Sequence, residues 1–262
     1  MIERMKTGKK TSFIFLLMLP LFLSGQSIKY DKMFVDSATT MIWTGLNFSY
    51  QWPFGKMAQT FKGNFNIGTG INLKTNSNWT FDINFNYLFG SSIKSDQLFG
   101  DVVTSQGSII DGNGYKATIY TEGRYWRIGA GFGKIIPVNR WRNSGIWLHT
   151  DFSYFRHKIY INDPDYQVPQ LNGDYRKLYD QRSSGFCMSQ FIGYLFMQRI
   201  RVASFYAGIE IYEMWTKPDR NYSFVEGATK DLPYKFSGMI GIKIGWIVPL
   251  YEKKKVTTLY TF

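Results

Sequence analysis

Side-chain character in this chain alternates with a period of two over eight separate stretches, and that alternation constrains the fold more than any other feature. In residues 79–90, Trp79, Phe81, Ile83, Phe85, Tyr87 and Phe89 alternate with Thr80, Asp82, Asn84, Asn86, Leu88 and Gly90. Successive side chains of a β-strand point to opposite faces, so this segment has one wholly apolar face and one mostly polar face. Just upstream, Phe61, Phe65, Ile67, Ile71 and Leu73 alternate with Lys62, Asn64, Asn66, Gly68, Gly70, Asn72 and Lys74. Only Thr75-Asn76-Ser77-Asn78 separates the two stretches, a spacing that predicts a tight hairpin. The same arithmetic gives strands over residues 39–52, 118–135, 145–161, 184–198, 202–215 and 234–250. Within 118–135 the parity changes, with Ile119 and Tyr125 out of step with Trp126, Ile128, Ala130 and Phe132, and this predicts a bulge.

The connections alternate in length. Those after the second, fourth and sixth strands are short (75–78, 136–144 and 199–201), whereas 91–117 and 162–183 are long, 216–233 is intermediate and 53–60 is modest. An even strand count, strands of about ten residues and alternating short and long connections are the pattern of a transmembrane barrel. The short turns and both termini would then be periplasmic. A soluble lipocalin-type barrel also alternates, but it turns its apolar face inward. Here the polar face is rich in glycine and asparagine, and the apolar face carries the large aromatics. Trp52, Trp79, Phe89, Trp126, Tyr154, Trp215, Tyr234 and Trp246 recur at strand ends, where interfacial girdles sit. The fold expected is all-β, an eight-stranded antiparallel up-and-down transmembrane β-barrel of the outer-membrane type.

The N-terminus fits export. Arg4, Lys6, Lys9 and Lys10 precede the apolar run 13–23, and Ser24-Gly25-Gln26-Ser27 follows it, which reads as a secretory signal peptide over residues 1–26. An eleven-residue apolar run is well short of the roughly 18–20 needed for a membrane-spanning helix. A periplasmic N-terminal segment (27–37), the barrel (38–250) and a basic periplasmic tail (251–262) complete the organisation. The single cysteine, Cys187, excludes an intrachain disulfide and any multi-cysteine metal site.

An eight-stranded barrel is just wide enough for side chains to fill it. The inward set expected from parity includes Lys62, Asp82, Glu122, Arg127, His149, Asp151, Glu210, Lys235 and Lys243. Mixed charges in so confined a space would pair, since unpaired buried charges are costly, and a plugged, salt-bridged lumen is expected rather than an open pore. His149, Asp151, Ser153 and His157 share one parity on the fifth strand, residue types that hydrolytic chemistry uses. Neighbours at i and i+2 lie about 6.5–7 Å apart, however, too far for a direct nucleophile–base bond unless the side chains lean together. Asp163, Asp165, Asp174 and Asp180 match no EF-hand spacing and read as a solvated surface loop. Neither Asp111-Gly112-Asn113-Gly114 nor the glycines of 129–133 precede a helix, so neither reads as a phosphate cradle. No metal site and no cofactor is expected.

Lys and Arg total 31 against 19 Asp and Glu, a net charge of +12. Removing residues 1–26 takes away four basic residues and one acidic one, leaving +9. The basic residues are dispersed and no nucleic-acid module presents them, so anionic outer-membrane lipid and lipopolysaccharide are the expected partners, not nucleic acid. Arg140, Arg142, Arg199, Arg201, Lys253, Lys254 and Lys255 fall in the short turns and the tail, where a periplasmic partner would meet them.

The Tyr/Phe/Asn-rich strands, Gln26 at the signal junction and the last strand, Gly241-Ile-Lys-Ile-Gly-Trp-Ile-Val-Pro-Leu-Tyr251, carry a resemblance. The chain resembles small outer-membrane β-barrels of Bacteroidota, similar to those that accompany the type IX secretion and gliding machinery and anchor periplasmic rings to the outer membrane. The resemblance implies an anchor or accessory subunit of an envelope complex, with secretion-complex proteins as partners, no enzyme activity and no cofactor. It departs from many outer-membrane barrels in running on past the closing strand to Tyr260-Thr261-Phe262. Two other readings stand beside it: a barrel that binds a surface ligand or admits small solutes, and a lipid A-modifying enzyme using His149 or Ser153.

Overall fold

A computed structural model describes residues 38–250 apart from 95–97, 101, 105, 107, 139–140, 164–167, 172, 198–203, 226 and 231. Each alternating stretch forms a strand: β1 (Met41–Gly55), β2 (Asn64–Lys74), β3 (Trp79–Ser92), β4 (Tyr120–Val138), β5 (Trp141–Asn162), β6 (Ser183–Phe196), β7 (Ser204–Pro218) and β10 (Lys235–Leu250). These eight close into an antiparallel barrel in chain order, sealed where β1 pairs with β10 from Ile42 opposite Leu250 to Gly55 opposite Ser237. Between β7 and β10, β8 (Tyr222–Ser223) and β9 (Gly227–Ala228) form a small ladder in the loop. Helix α1 (Met57–Thr60) lies in the β1–β2 connection, and a 3-10 turn (Pro169–Leu171) and α2 (Tyr175–Tyr179) lie in the β5–β6 loop.

The β2–β3 hairpin forms over the four expected residues. Thr75 N–H donates to Trp79 O (2.9 Å), and Asn78 takes φ 63°, a left-handed conformation that asparagine tolerates. The β4–β5 connection is tighter than expected. β4 runs on to Val138, β5 begins at Trp141, and the ladder register shifts there, so that Arg142, Asn143 and Ser144 bulge from β5. Asn143 and Ser144 are buried at the turn end.

The bulge expected in β4 lies instead on β3. Leu88 faces Tyr125 and Ser91 faces Gly123, so the extra residue falls at Phe89-Gly90, where Gly90 supplies φ 78°. β4 keeps a single parity throughout. Tyr125 points inward because the inner face turns apolar near the loop end, which is the source of the apparent phase change in the sequence.

The outer face is apolar over its whole circumference. Ile71, Ile83, Ile128, Phe152, Ile192, Ile209 and Ile242 are all at least 44% exposed. On β1 the outward set runs from Ile42 to Phe54, about 30 Å along the barrel axis for strands tilted by about 40°. A belt of that height and composition matches the hydrocarbon thickness of an outer membrane and is not tolerated by water. The molecule is a transmembrane barrel of the outer-membrane type.

Candidate functional site

The lumen is built in three layers, and the middle one is polar. Lys243 meets Glu210 at 3.1 Å, and the Glu210 carboxylate accepts from Ser49 (2.6 Å) and from Gln51. Ser49 accepts from Asn66 (3.0 Å), Asn66 reaches Asn86 (3.4 Å), and Asn86 donates to Asn84 (3.0 Å). Asn84 donates to both Asp82 (2.6 Å) and Asp151. Asp82 pairs with His149, and Asp151 pairs with Arg127. Ser189 of β6 also donates to Asp151 (3.4 Å), so all eight barrel strands contribute to one connected network. Three carboxylates thus face Arg127, Lys243 and His149, one each. The Arg127 guanidinium lies 4.5 Å from the centre of the Tyr212 ring and is almost fully buried.

Two of these links join β3 to β5, strands that do not pair with each other. They meet across β4 because its inward positions there are glycines. A Cβ on Gly131 would lie 2.7 Å from Cε1 and Nε2 of His149, closer than real contacts allow. Gly133 leaves the same room for the hydrogen bond from Trp147 Nε1 to Thr80 Oγ1 (3.1 Å). A cavity of about 50 Å³ remains beside the network, with room for a water or two. Asn47 Oδ1 and Arg127 Nε, both buried and without a partner among the described residues, border it.

An apolar layer closes each end. At the turn end, Trp43, Trp147, Phe191 and Tyr206 pack edge to face, with ring centroids 5.1–6.4 Å apart, over Ile135, Leu195 and Ile247. Below them residues 38–40 cross the opening. Thr39 N–H donates to Asn143 Oδ1 (3.0 Å), and the buried Lys74 ammonium donates to Asn143 Oδ1 (2.9 Å) and Thr39 O (3.1 Å). At the loop end, Phe61, Tyr125, Phe155, Met214 and Met239 fill the barrel, and Leu98, Val168, Leu171 and Tyr179 of the loops pack on top. The 162–183 segment is therefore in part a cap, not a wholly solvated loop.

The expected inward residues divide. Asp82, Arg127, His149, Asp151, Glu210 and Lys243 meet in the network, and Lys235 lies on the inward parity of β10 at the loop-end mouth. Two do not join. Lys62 lies before β2, exposed at the loop end, where its backbone N–H donates to Ser92 O (3.0 Å). Glu122 shares the outward parity of Trp126 and pairs with Arg124 (2.7 Å). Its strand does not change phase, so the expected inward direction fails there. Asn66, Asn84 and Asn86 lie on the polar face that the alternation gives them, whereas Ser49, Gln51 and Ser189 were not singled out, although each has the inward parity of its strand.

Of the girdle residues, Trp52, Trp79, Phe89, Tyr154, Trp215, Tyr234 and Trp246 are exposed on the outer side, and Trp126 is half-buried against Tyr154, centroids 5.5 Å apart. Arg142 is exposed at the turn end. Arg140, Arg199, Arg201, Lys253, Lys254 and Lys255 lie outside the described residues.

The residue types of the fifth strand do not assemble as a triad. His149 is engaged by Asp82 and Asp151 by Arg127. Ser153 donates to the Cys187 carbonyl (3.2 Å), and the His157 ring packs among Phe61, Tyr125 and Phe155. The loop acids are likewise dispersed. Asp163 accepts from Val168 N–H (2.9 Å) and Asp180 from Arg220, while Asp174 pairs with Lys177. The hydrogen bond from Lys177 holds the Asp174 carboxyl below its ordinary pKa, and the hydrogen bond to Asp180 raises that of Arg220. Among the described residues no cluster of acids, histidines or cysteine is arranged to hold a metal ion.

On the outer side of the loop end, Arg124, Arg156, Lys158 and Arg182 line a groove of about 330 Å³ with Tyr87 and Trp126. Arg124 lies 3.5 Å from the centre of the Tyr160 ring. Basic and aromatic side chains thus sit together just above the apolar belt.

No family model and no curated protein matches the chain. Solved outer-membrane proteins are similar to it at low identity. Ail, the attachment invasion locus protein of Yersinia pestis, in complex with the heparin analogue sucrose octasulfate, is 8% identical with a TM-score of 0.43, covering 80% of this chain and 99% of Ail. Neisserial surface protein A is 9% identical with a TM-score of 0.41, covering 78% of this chain and 96% of that one. A major outer membrane protein from Thermus thermophilus is 6% identical with a TM-score of 0.40, covering 78% of this chain and 98% of that one. Likenesses of this size carry no ligand or activity over to this chain.

Proposed function

We propose that this chain is a non-enzymatic outer-membrane barrel, closed to solutes along its lumen, that acts as an anchor or accessory subunit of a cell-envelope complex, with protein secretion as the process it serves. The observation that carries this reading is the sealed lumen. A paired ionic layer between two apolar layers supports a rigid post whose work is done at its ends. In this reading residues 1–26 are removed on export and both termini face the periplasm. Arg142 and the basic positions 140, 199, 201 and 253–255 then form the face that meets a periplasmic partner. The groove at Arg124, Arg156 and Lys158 supports contact with anionic headgroups, lipopolysaccharide among them, in the outer leaflet.

Affinity purification from native outer membranes in mild detergent tests the anchor role. Stoichiometric co-elution of periplasmic or secretion-machinery proteins, lost when the basic turn residues are changed to glutamine, is the expected result. A barrel that elutes alone overturns it. Planar-bilayer recording tests the closed lumen separately, and steady single-channel conductance would refute it. A second reading, a barrel that binds a ligand at its loops, is favoured by the loop-end mouth described next.

A further inference from the structure

The loop-end mouth carries a site of a different character from the lumen. A pocket of about 90 Å³ opens there between α1, α2 and the ends of β6, β7 and β10. Lys56, Lys177, Arg182, Arg220 and Lys235 line it, and among the described residues that do so none is acidic. Three of these cations are paired with nearby carboxylates: Lys177 with Asp174, Arg182 with Asp219 and Arg220 with Asp180. Asp180 takes Arg220 through Nε (3.1 Å) and Nη2 (2.7 Å), leaving Nη1 unbonded among the described residues. Asp219 takes Arg182 at 3.1 Å and Arg156 at 2.9 Å. The Lys56 side chain is exposed and has neither a hydrogen bond nor an ion pair among the described residues. The Thr216 and Ser237 hydroxyls, on residues only 5% and 6% exposed, also have no partner among them.

Lys56, unpaired among the described residues at the rim of a partly enclosed space, attracts an anion, and the free hydroxyls in the same lining are donors awaiting an acceptor. The acids paired with Arg220 and Arg182 fix the guanidinium planes, which is the pre-organisation an anion site needs. The loops that carry the site are laced together. Asp219 N–H donates to Arg182 O (2.9 Å), Phe224 N–H to Leu178 O (3.1 Å) and Ile159 N–H to Asp180 O (2.8 Å). The volume is below the roughly 300–1,000 Å³ of a pocket for a whole small molecule, so it suits a single group.

We propose that this pocket binds a tetrahedral oxyanion, the phosphate or sulfate group of an ester presented from the loop side. Two sources offer that chemistry: a soluble ester and a lipid headgroup of the surrounding leaflet. The site is independent of whatever the turn end holds.

The test uses the full chain, purified and placed in phosphatidylcholine nanodiscs. Calorimetric titration with inorganic phosphate, and with glucose 6-phosphate, reads the soluble source. Nanodiscs with and without lipopolysaccharide, scored by displacement of bound phosphate, read the headgroup source. The expected result is saturable binding that weakens as salt rises and drops about tenfold in Lys56→Gln and in Thr216→Val. Saturable binding of the soluble probes that lipopolysaccharide in the disc leaves unchanged assigns the soluble source. Phosphate that is displaced only in discs holding lipopolysaccharide, with displacement lost in Lys56→Gln, assigns the headgroup. Lys56 is exposed, so its variant keeps the fold, which the heat-modifiable gel shift verifies; Lys56→Gln alone decides if Thr216→Val fails to fold. Arg142→Gln, at the opposite end, is expected to bind as the parent does. Absence of saturable binding, or binding that Lys56→Gln leaves unchanged, overturns the proposal.

Discussion

Asp151→Asn probes the ionic layer most directly. Asp151 is fully buried, and its carboxylate receives Arg127, Asn84 and Ser189. The amide keeps the shape but removes the charge, so a buried guanidinium loses its counter-ion. Breaking one side of a buried pair costs about 3–5 kcal/mol. Part of this is recovered here, because Arg127 also donates to Ser153 (3.3 Å) and Ser189 (3.5 Å) and rests on the Tyr212 ring. A net loss of about 2–4 kcal/mol is expected. Equilibrium urea unfolding in lipid vesicles measures it, and a double-mutant cycle with Arg127→Met separates the pair from its surroundings. The double variant is expected to recover at least half of the loss, since it leaves no orphaned charge. A loss under about 1 kcal/mol, or additivity in the cycle, would refute the claim that the pair is a desolvated unit.

Gly131→Ala puts a methyl group against the His149 ring and is expected to cost about 1–3 kcal/mol by the same unfolding assay. Ile83→Lys, in the middle of the lipid-facing belt, is expected to cost about 2–4 kcal/mol in vesicles. The combined change Trp43→Ala, Trp147→Ala and Phe191→Ala removes most of the turn-end layer; intermittent conductance in planar bilayers is expected from it and none from the parent. Glu213 has the outward parity of Trp215 and no partner among the described residues, so Glu213→Leu is expected to leave stability unchanged or raise it by about 1 kcal/mol; a clear loss would show that the carboxylate is engaged in the membrane.

Much of the lumen was legible before any coordinates, because strand parity assigns each side chain a face. His149, Asp151 and Arg127 were placed inward by counting alone. Glu122 and Lys62 failed for a common reason: parity has meaning only where the phase is known and a strand exists. Tyr125 disguised the phase of β4, since its inward face turns apolar near the loops, and Lys62 precedes its strand. The cap was illegible in another way. Val168 and Leu171 lie in a loop without periodicity, and only their packing over the barrel mouth buries them.

The sequence by itself determined the strands, the two faces and the lipid-facing belt, because these follow from local alternation and from solvent preference acting residue by residue. The tertiary structure alone decided which charges meet. Asp82 reaches His149 across a strand that lies between them, which required both the closure of the ring and a glycine at the crossing. The pocket at the mouth needed still more, for Lys56, Lys177 and Thr216 come from three distant parts of the chain and share a wall only because the barrel brings their strand ends together.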